Sequence, residues 1–167
     1  MTLDIEAVSI SITGGAVDFG GPYGADVKVR AHPQGSVANA APPTITNNGN
    51  VDITSLVVAY TGELGEEATC DGGTGSWAAH GSSTSTDRFV GRVWASTDAT
   101  YSTFNSSSVK IPPGTGTGNI LSGTNTPLEE GDSVPLLLEI QTPNPAVVGV
   151  DGCTIGLSVT ASASVTP

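Results

Sequence analysis

The residues of this chain that are able to do chemistry are few and scattered. Its two histidines, His32 and His80, stand in separate loop-like stretches with no Cys, Asp or Glu at ligand spacing. Neither completes a zinc set, which needs N, S or carboxylate ligands converging tetrahedrally. Serines abound, but no G-x-S-x-G elbow occurs to present one as a nucleophile. Gly114-Thr115-Gly116-Thr117-Gly118 lacks the Lys-Ser/Thr pair of a phosphate loop and reads as a flexible connection. The pairs Glu66/Glu67 and Glu129/Glu130 lie in turns beside Gly, where solvated acids are expected rather than carboxylates held at a glycosidase's separation. The expectation is a chain that is not an enzyme.

Two constellations remain. Glu63, Glu66, Glu67 and Asp71 crowd into one loop, and hard cations such as calcium seek several oxygen ligands. No EF-hand spacing accompanies them, so a calcium site competes with a plain solvated acidic loop. Cys70 and Cys153 each sit beside a Gly-rich acidic turn, Cys70-Asp71-Gly72-Gly73 and Asp151-Gly152-Cys153. Bridged, they close a loop worth roughly 4 kcal/mol through the unfolded chain. Unbridged, they are two unrelated thiols, and composition alone does not establish the oxidising compartment that would decide. Trp77, in a Gly-rich loop, either folds back on its own domain or anchors a partner.

The elements that must position these residues are strands. Period-two alternation runs through Val51 to Tyr60, Arg88 to Trp94, Val134 to Ile140 and Cys153 to Thr160, while no helical period emerges. Twenty-two Gly and eleven Pro punctuate the chain without a repeat, as turns between short strands do. Residues 61–86 form a long Gly/Ser/Thr-rich excursion. Near the N-terminus, Leu3, Ile5 and Ala7 alternate with acids, then Val8, Ile10 and Ile12 alternate with serines. The phase flip moves the apolar set to the other face. Residues 1–12 are therefore expected to serve as a strand or as an arm lent to a neighbouring subunit. A length of 167 residues suffices for one domain over the whole chain.

Charge narrows the partners. A net charge of −11 repels phosphate backbones, so no nucleic-acid partner is expected. No stretch reaches the roughly 18 apolar residues of a membrane span, so no membrane insertion is expected. Residues Met1 to Ile12 lack the basic and apolar regions of a signal peptide. Either the protein begins here, outside the secretory route, or a leader has been removed.

Three segments resemble a known grammar. Ile45-Thr46-Asn47-Asn48-Gly49-Asn50-Val51-Asp52 looks like the V-T-N-x-G-N turn of extracellular immunoglobulin-like and fibre-forming domains. Leu128-Glu129-Glu130-Gly131-Asp132-Ser133-Val134-Pro135-Leu136 resembles their L-x-x-G-x-S-x-x-L turn and strand, and Val17-Asp18-Phe19-Gly20 their V-x-F-G opening. The resemblance is to β-sandwich modules of surface layers, camelysin-like and biofilm-fibre proteins, and virion decorations. It implies an all-β fold, an antiparallel sandwich of immunoglobulin-like or jelly-roll kind with long loops. The function it implies is non-catalytic structural assembly, foremost as capsid decoration or cement at a virion surface. A secreted filament, pilus or surface-layer subunit joined by strand donation is the alternative, and a carbohydrate-binding module the third. Expected partners are copies of itself and other structural proteins of the assembly, with Leu3, Ile5, Ala7 and Trp77 as the assembly residues.

Overall fold

The structure, a computed structural model, describes residues 7–19, 24–31, 39–97, 104, 106–122, 126–145 and 152–163. Leu3, Ile5, His32 and Asp151 lie outside the described residues, as do residues 1–6 of the N-terminal arm. The fold is all-β. Its strands are β1 (Ile10–Thr13), β2 (Lys28–Ala31), β3 (Asn39–Ala40), β4 (Thr44–Asn47), β5 (Ile53–Tyr60) and β6 (Ala68–Cys70). They continue with β7 (Gly75–Ala79), β8 (Arg88–Ala95), β9 (Val109–Lys110), β10 (Ser133–Gln141), β11 (Cys153–Ile155) and β12 (Leu157–Ala163).

The large sheet runs β1-β4-β10-β8-β7-β6-β11, and β12 pairs with β5 in a second, two-stranded sheet. Together they curl as a half-barrel. β10 is the spine. Its first residues pair with β4, its last with β2, and its other edge with β8 from Leu136 to Gln141. The expected antiparallel pattern holds at most joints, but β2–β3 and β7–β8 pair in parallel. The 61–86 excursion is not a bare loop. It folds into β6, a short 3-10 turn and β7, because Ala68 and Cys70 alternate inward and join a second small core with Phe89 and Ile140.

The main core lies between the sheets. Leu136, Leu138, Val93 and Ala95 of the large sheet face Leu56 and Val58 of β5. A register shift at Ser162/Ala163 opposite Ser55 and Ile53 lets both Ile53 and Leu56 point inward despite their odd spacing. The stretch expected to be a flexible connection stitches the two sheets instead. Thr117 Oγ1 accepts from Val58 N–H at 3.0 Å, and Thr117 N–H donates to Val58 O at 2.8 Å. Asn119 Oδ1 accepts from Leu56 and Leu121 N–H, both at 3.0 Å, while Ile120 bonds Leu56 on one side and Ala95 on the other. Glycine allows this approach, since a Cβ at Gly116 would come within 2.7 Å of the Val57 side chain.

The alternation from Cys153 to Thr160 is one run in sequence and two strands in space. The chain leaves the large sheet as β11 and enters the small one as β12, with Gly156 at the crossing. Thr61, where β5 ends, donates its N–H to Gly156 O at 3.0 Å, and a Cβ on Gly156 would strike Thr61 Oγ1.

The two longest resembling segments meet at Asn47, which is fully buried. Its Nδ2 donates to Val51 O at 2.9 Å and Leu128 O at 3.0 Å, and its Oδ1 accepts from Gly49 N–H at 3.0 Å. Its backbone N–H donates to Asp132 O at 3.0 Å and its carbonyl accepts from Gly131 at 2.9 Å. One amide thus closes its own turn and ties it to the other. Asn47→Ala strips three bonds at once, two of them buried, for an expected loss of about 2–3 kcal/mol. Thermal melts should show a midpoint roughly 5–10 °C lower. An unchanged melt would mean that the amide only decorates the turn.

Candidate functional site

The acids of the 61–71 loop point different ways. Glu67 is buried, and its carboxylate accepts from Gly65 N–H at 3.1 Å and Ala79 N–H at 2.8 Å. Glu63 and Glu66 are exposed on a turn closed by Glu66 N–H to Glu63 O at 2.9 Å, and Asp71 belongs to the separate 3-10 turn. Among the described residues no three His, Cys, Asp or Glu side chains group so as to hold a metal ion. Glu63, Glu66, Glu67 and Asp71, the calcium candidates of the sequence, are thus not brought together as one ligand set among the described residues. The same acceptor oxygens that suit a cation are turned inward by Glu67 to satisfy the loop's own backbone.

Trp77 folds back on its own domain. It is half-buried on β7, 6.4 Å from the Phe89 ring, which in turn meets Tyr60 edge-on at 5.4 Å. Burial pushes the Tyr60 phenol well above its ordinary range, the Glu67 carboxylate adds to the rise and the backbone of Gly91 opposes it. The phenol is thus held neutral beneath the second core. His80 Nδ1 accepts from Ser82 and Ser83 N–H at 3.3 and 3.2 Å, so the imidazole serves its own turn.

Cys70 and Cys153 are bridged, directly opposite each other on β6 and β11. Over the bridge lies an open depression of about 480 Å³ lined by Thr69, Gly72, Gly73, Gly152, Cys153 and Thr154. Among the described residues its polar lining is hydroxyls and backbone.

What remains is surface. Among the described residues β12 pairs with β5 alone, so its outer edge is bare along Leu-Ser-Val-Thr-Ala-Ser-Ala. Val58 and Leu56 bond the 117–120 segment on the far side of β5. Their partners Val159 and Ala161 are therefore non-hydrogen-bonded pairs whose N–H and C=O point outward. β1 is one of the edge strands of the large sheet, with Ile12 in it 42% exposed and Val8 just before it 44% exposed. Ala7 is exposed, its N–H bonded to Asn50 Oδ1 at 2.7 Å.

No protein-family model, curated protein or solved structure matches this chain.

Sequence reasoning missed one constellation. Register places Arg30, Glu139, Arg92 and Lys110 side by side across β2, β10, β8 and β9, on the face opposite the main core. Arg30 Nε meets Glu139 Oε2 at 2.5 Å, with both side chains almost wholly buried, and Lys28 Nζ lies 3.7 Å from Glu139 Oε1. A signal was present. Lys28 and Arg30 are two apart, and Arg88 and Arg92 four apart, which puts each pair on one face of its strand.

Proposed function

We propose that this chain is a non-catalytic structural subunit that joins copies of itself and other structural proteins in a surface assembly. The single observation that carries the reading is the bare edge of β12. Isolated subunits commonly blunt an edge with charge, proline or a strong bulge. β12 has no charge and no proline over seven residues, and its one irregularity lies at the last step. Such an edge is a template for strand addition. The donor suggested by the sequence is the N-terminal arm of a neighbour, narrowed from residues 1–12 to the part before Ala7, because Ala7 and Ser9 bond the Asn48–Asn50 turn and Ile10–Thr13 pairs with β4 of their own subunit. Leu3 and Ile5 would lay an alternating stripe beside the half-buried Leu157, Val159 and Ala161.

The Cys70–Cys153 bridge supports a place outside reducing cytosol, where disulfides persist. That fits the decoration or cement layer of a virion, the first reading. It equally fits a secreted filament or surface-layer subunit, which the strand-accepting edge specifically favours as the alternative.

The test is Ala161→Pro. It removes an outward N–H without touching a bond to β5, a position where an edge strand tolerates proline. Self-association measured by sedimentation velocity should weaken roughly a hundredfold, as a loss of about 3 kcal/mol translates. Deletion of residues 2–7 should likewise give a folded monomer. If both variants assemble as the parent does, strand addition at β12 is not how the subunit assembles.

A further inference from the structure

All five basic residues of this acidic chain, Lys28, Arg30, Arg88, Arg92 and Lys110, fall on one face of one sheet. They occupy β2, β8 and β9, toward the end of β10 that finishes at Gln141. Their row spans four strands, about 14 Å at the usual strand spacing. Glu139 is the one carboxylate in that row, and it is taken by Arg30 and approached by Lys28. Among the described residues no carboxylate ion-pairs with Arg88, Arg92 or Lys110. Arg92 Nε is buried without a hydrogen-bond partner, and Lys110 Nζ has only Ser82 O at 2.8 Å. Asp26, on the same side, is engaged by Thr84 Oγ1 at 2.8 Å and Gln141 Nε2 at 2.7 Å.

The other end of β10 carries the opposite charge. Glu129, Glu130 and Asp132 are exposed on the turn that enters the strand, and Asp52 is exposed beside the Ile53–Leu128 bridge next to it. Every Lys and Arg lies elsewhere. Nine residues of β10 separate the two regions by about 27 Å. The subunit is thus polarised along its spine.

We propose that the basic face receives the acidic turn at the start of β10 from a second copy of this chain. The inference rests on the self-assembly reading above and adds to it an axial contact, distinct from the lateral one at β12. A surface that meets a different surface of its twin is heterologous, so the contact repeats head to tail into a line or a ring. Complementary charge sets its register and partner choice, and salt weakens it.

The experiment is a charge exchange. One variant carries Arg88→Glu and Lys110→Glu; the other carries Glu129→Lys and Glu130→Lys. Circular dichroism first establishes that each melts as the parent does. In low salt, sedimentation velocity should show each variant alone losing the axial association by at least tenfold. An equimolar mixture should regain it, because both reversed surfaces again find an opposite. About 1 M sodium chloride, where the screening length is about 3 Å, should abolish the axial association of parent and mixture alike. Variants that assemble alone as the parent does, or a mixture that stays apart, overturn the proposal. So does binding of the parent and the Glu129/Glu130 variant to heparin with neither self-associating, since the face would then take a polyanion. A failure confined to these arms leaves Ala161→Pro to judge the lateral contact. A parent that remains monomeric in every buffer overturns both.

Discussion

Reduction of the Cys70–Cys153 bridge is expected to lower the melting midpoint by roughly 10–15 °C. The two cysteines are 83 residues apart in sequence. Closing a loop of that length removes about 4.5 kcal/mol of chain entropy from the unfolded state. Its place in the fold makes the native state depend on it too. β6 and β11 have three residues each, and Asp71 N–H to Gly152 O at 3.0 Å is the bond that flanks the bridge. Cys70 itself is buried in the second core with Ala68 and Phe89. Calorimetry with and without reductant is the measurement, with thiol labelling to establish that reduction is complete. The Cys70→Ala, Cys153→Ala double variant should melt with the reduced form. A midpoint indifferent to complete reduction would show that the second core holds without its staple.

The strands were the legible part of this chain. Val134, Leu136, Leu138 and Ile140 alternate in sequence and line the core side of β10, and the all-β fold follows from such runs. Leu137 breaks the alternation because the opposite face has an apolar patch of its own, with Trp94 and Phe104. The stitching between sheets was illegible for a physical reason. Thr117 and Asn119 bond the backbone of β5 about 60 positions away, and no local period encodes where a side-chain oxygen finds its donor. Glu67 misled for a related reason, since a carboxylate that could face a cation serves backbone N–H groups equally well. The basic face was legible only in halves. Lys28/Arg30 and Arg88/Arg92 each declare a face, but only the pairing of β2 and β8 with the two sides of β10 makes those faces one.

That pairing also sets the second large effect. Glu139→Leu is expected to destabilise the fold by about 3–5 kcal/mol, because it removes the carboxylate that pairs with the buried Arg30 guanidinium. Lys28 is 39% exposed and can turn to water, so its 3.7 Å contact adds little. The Arg30 side chain is almost wholly buried. Replacing both partners, Arg30→Met with Glu139→Leu, removes the charge along with its counter-ion and should restore most of the loss. Melts of the parent, both single variants and the double variant form a cycle whose coupling measures the pair. If Glu139→Leu melts with the parent, Arg30 reaches solvent and the buried pair is not a feature of the folded protein. The double variant keeps Arg88, Arg92 and Lys110, so its salt-sensitive association should persist as its stability returns. The buried pair would then hold β2 to β10, while the unpaired cations beside it are left to meet a neighbour.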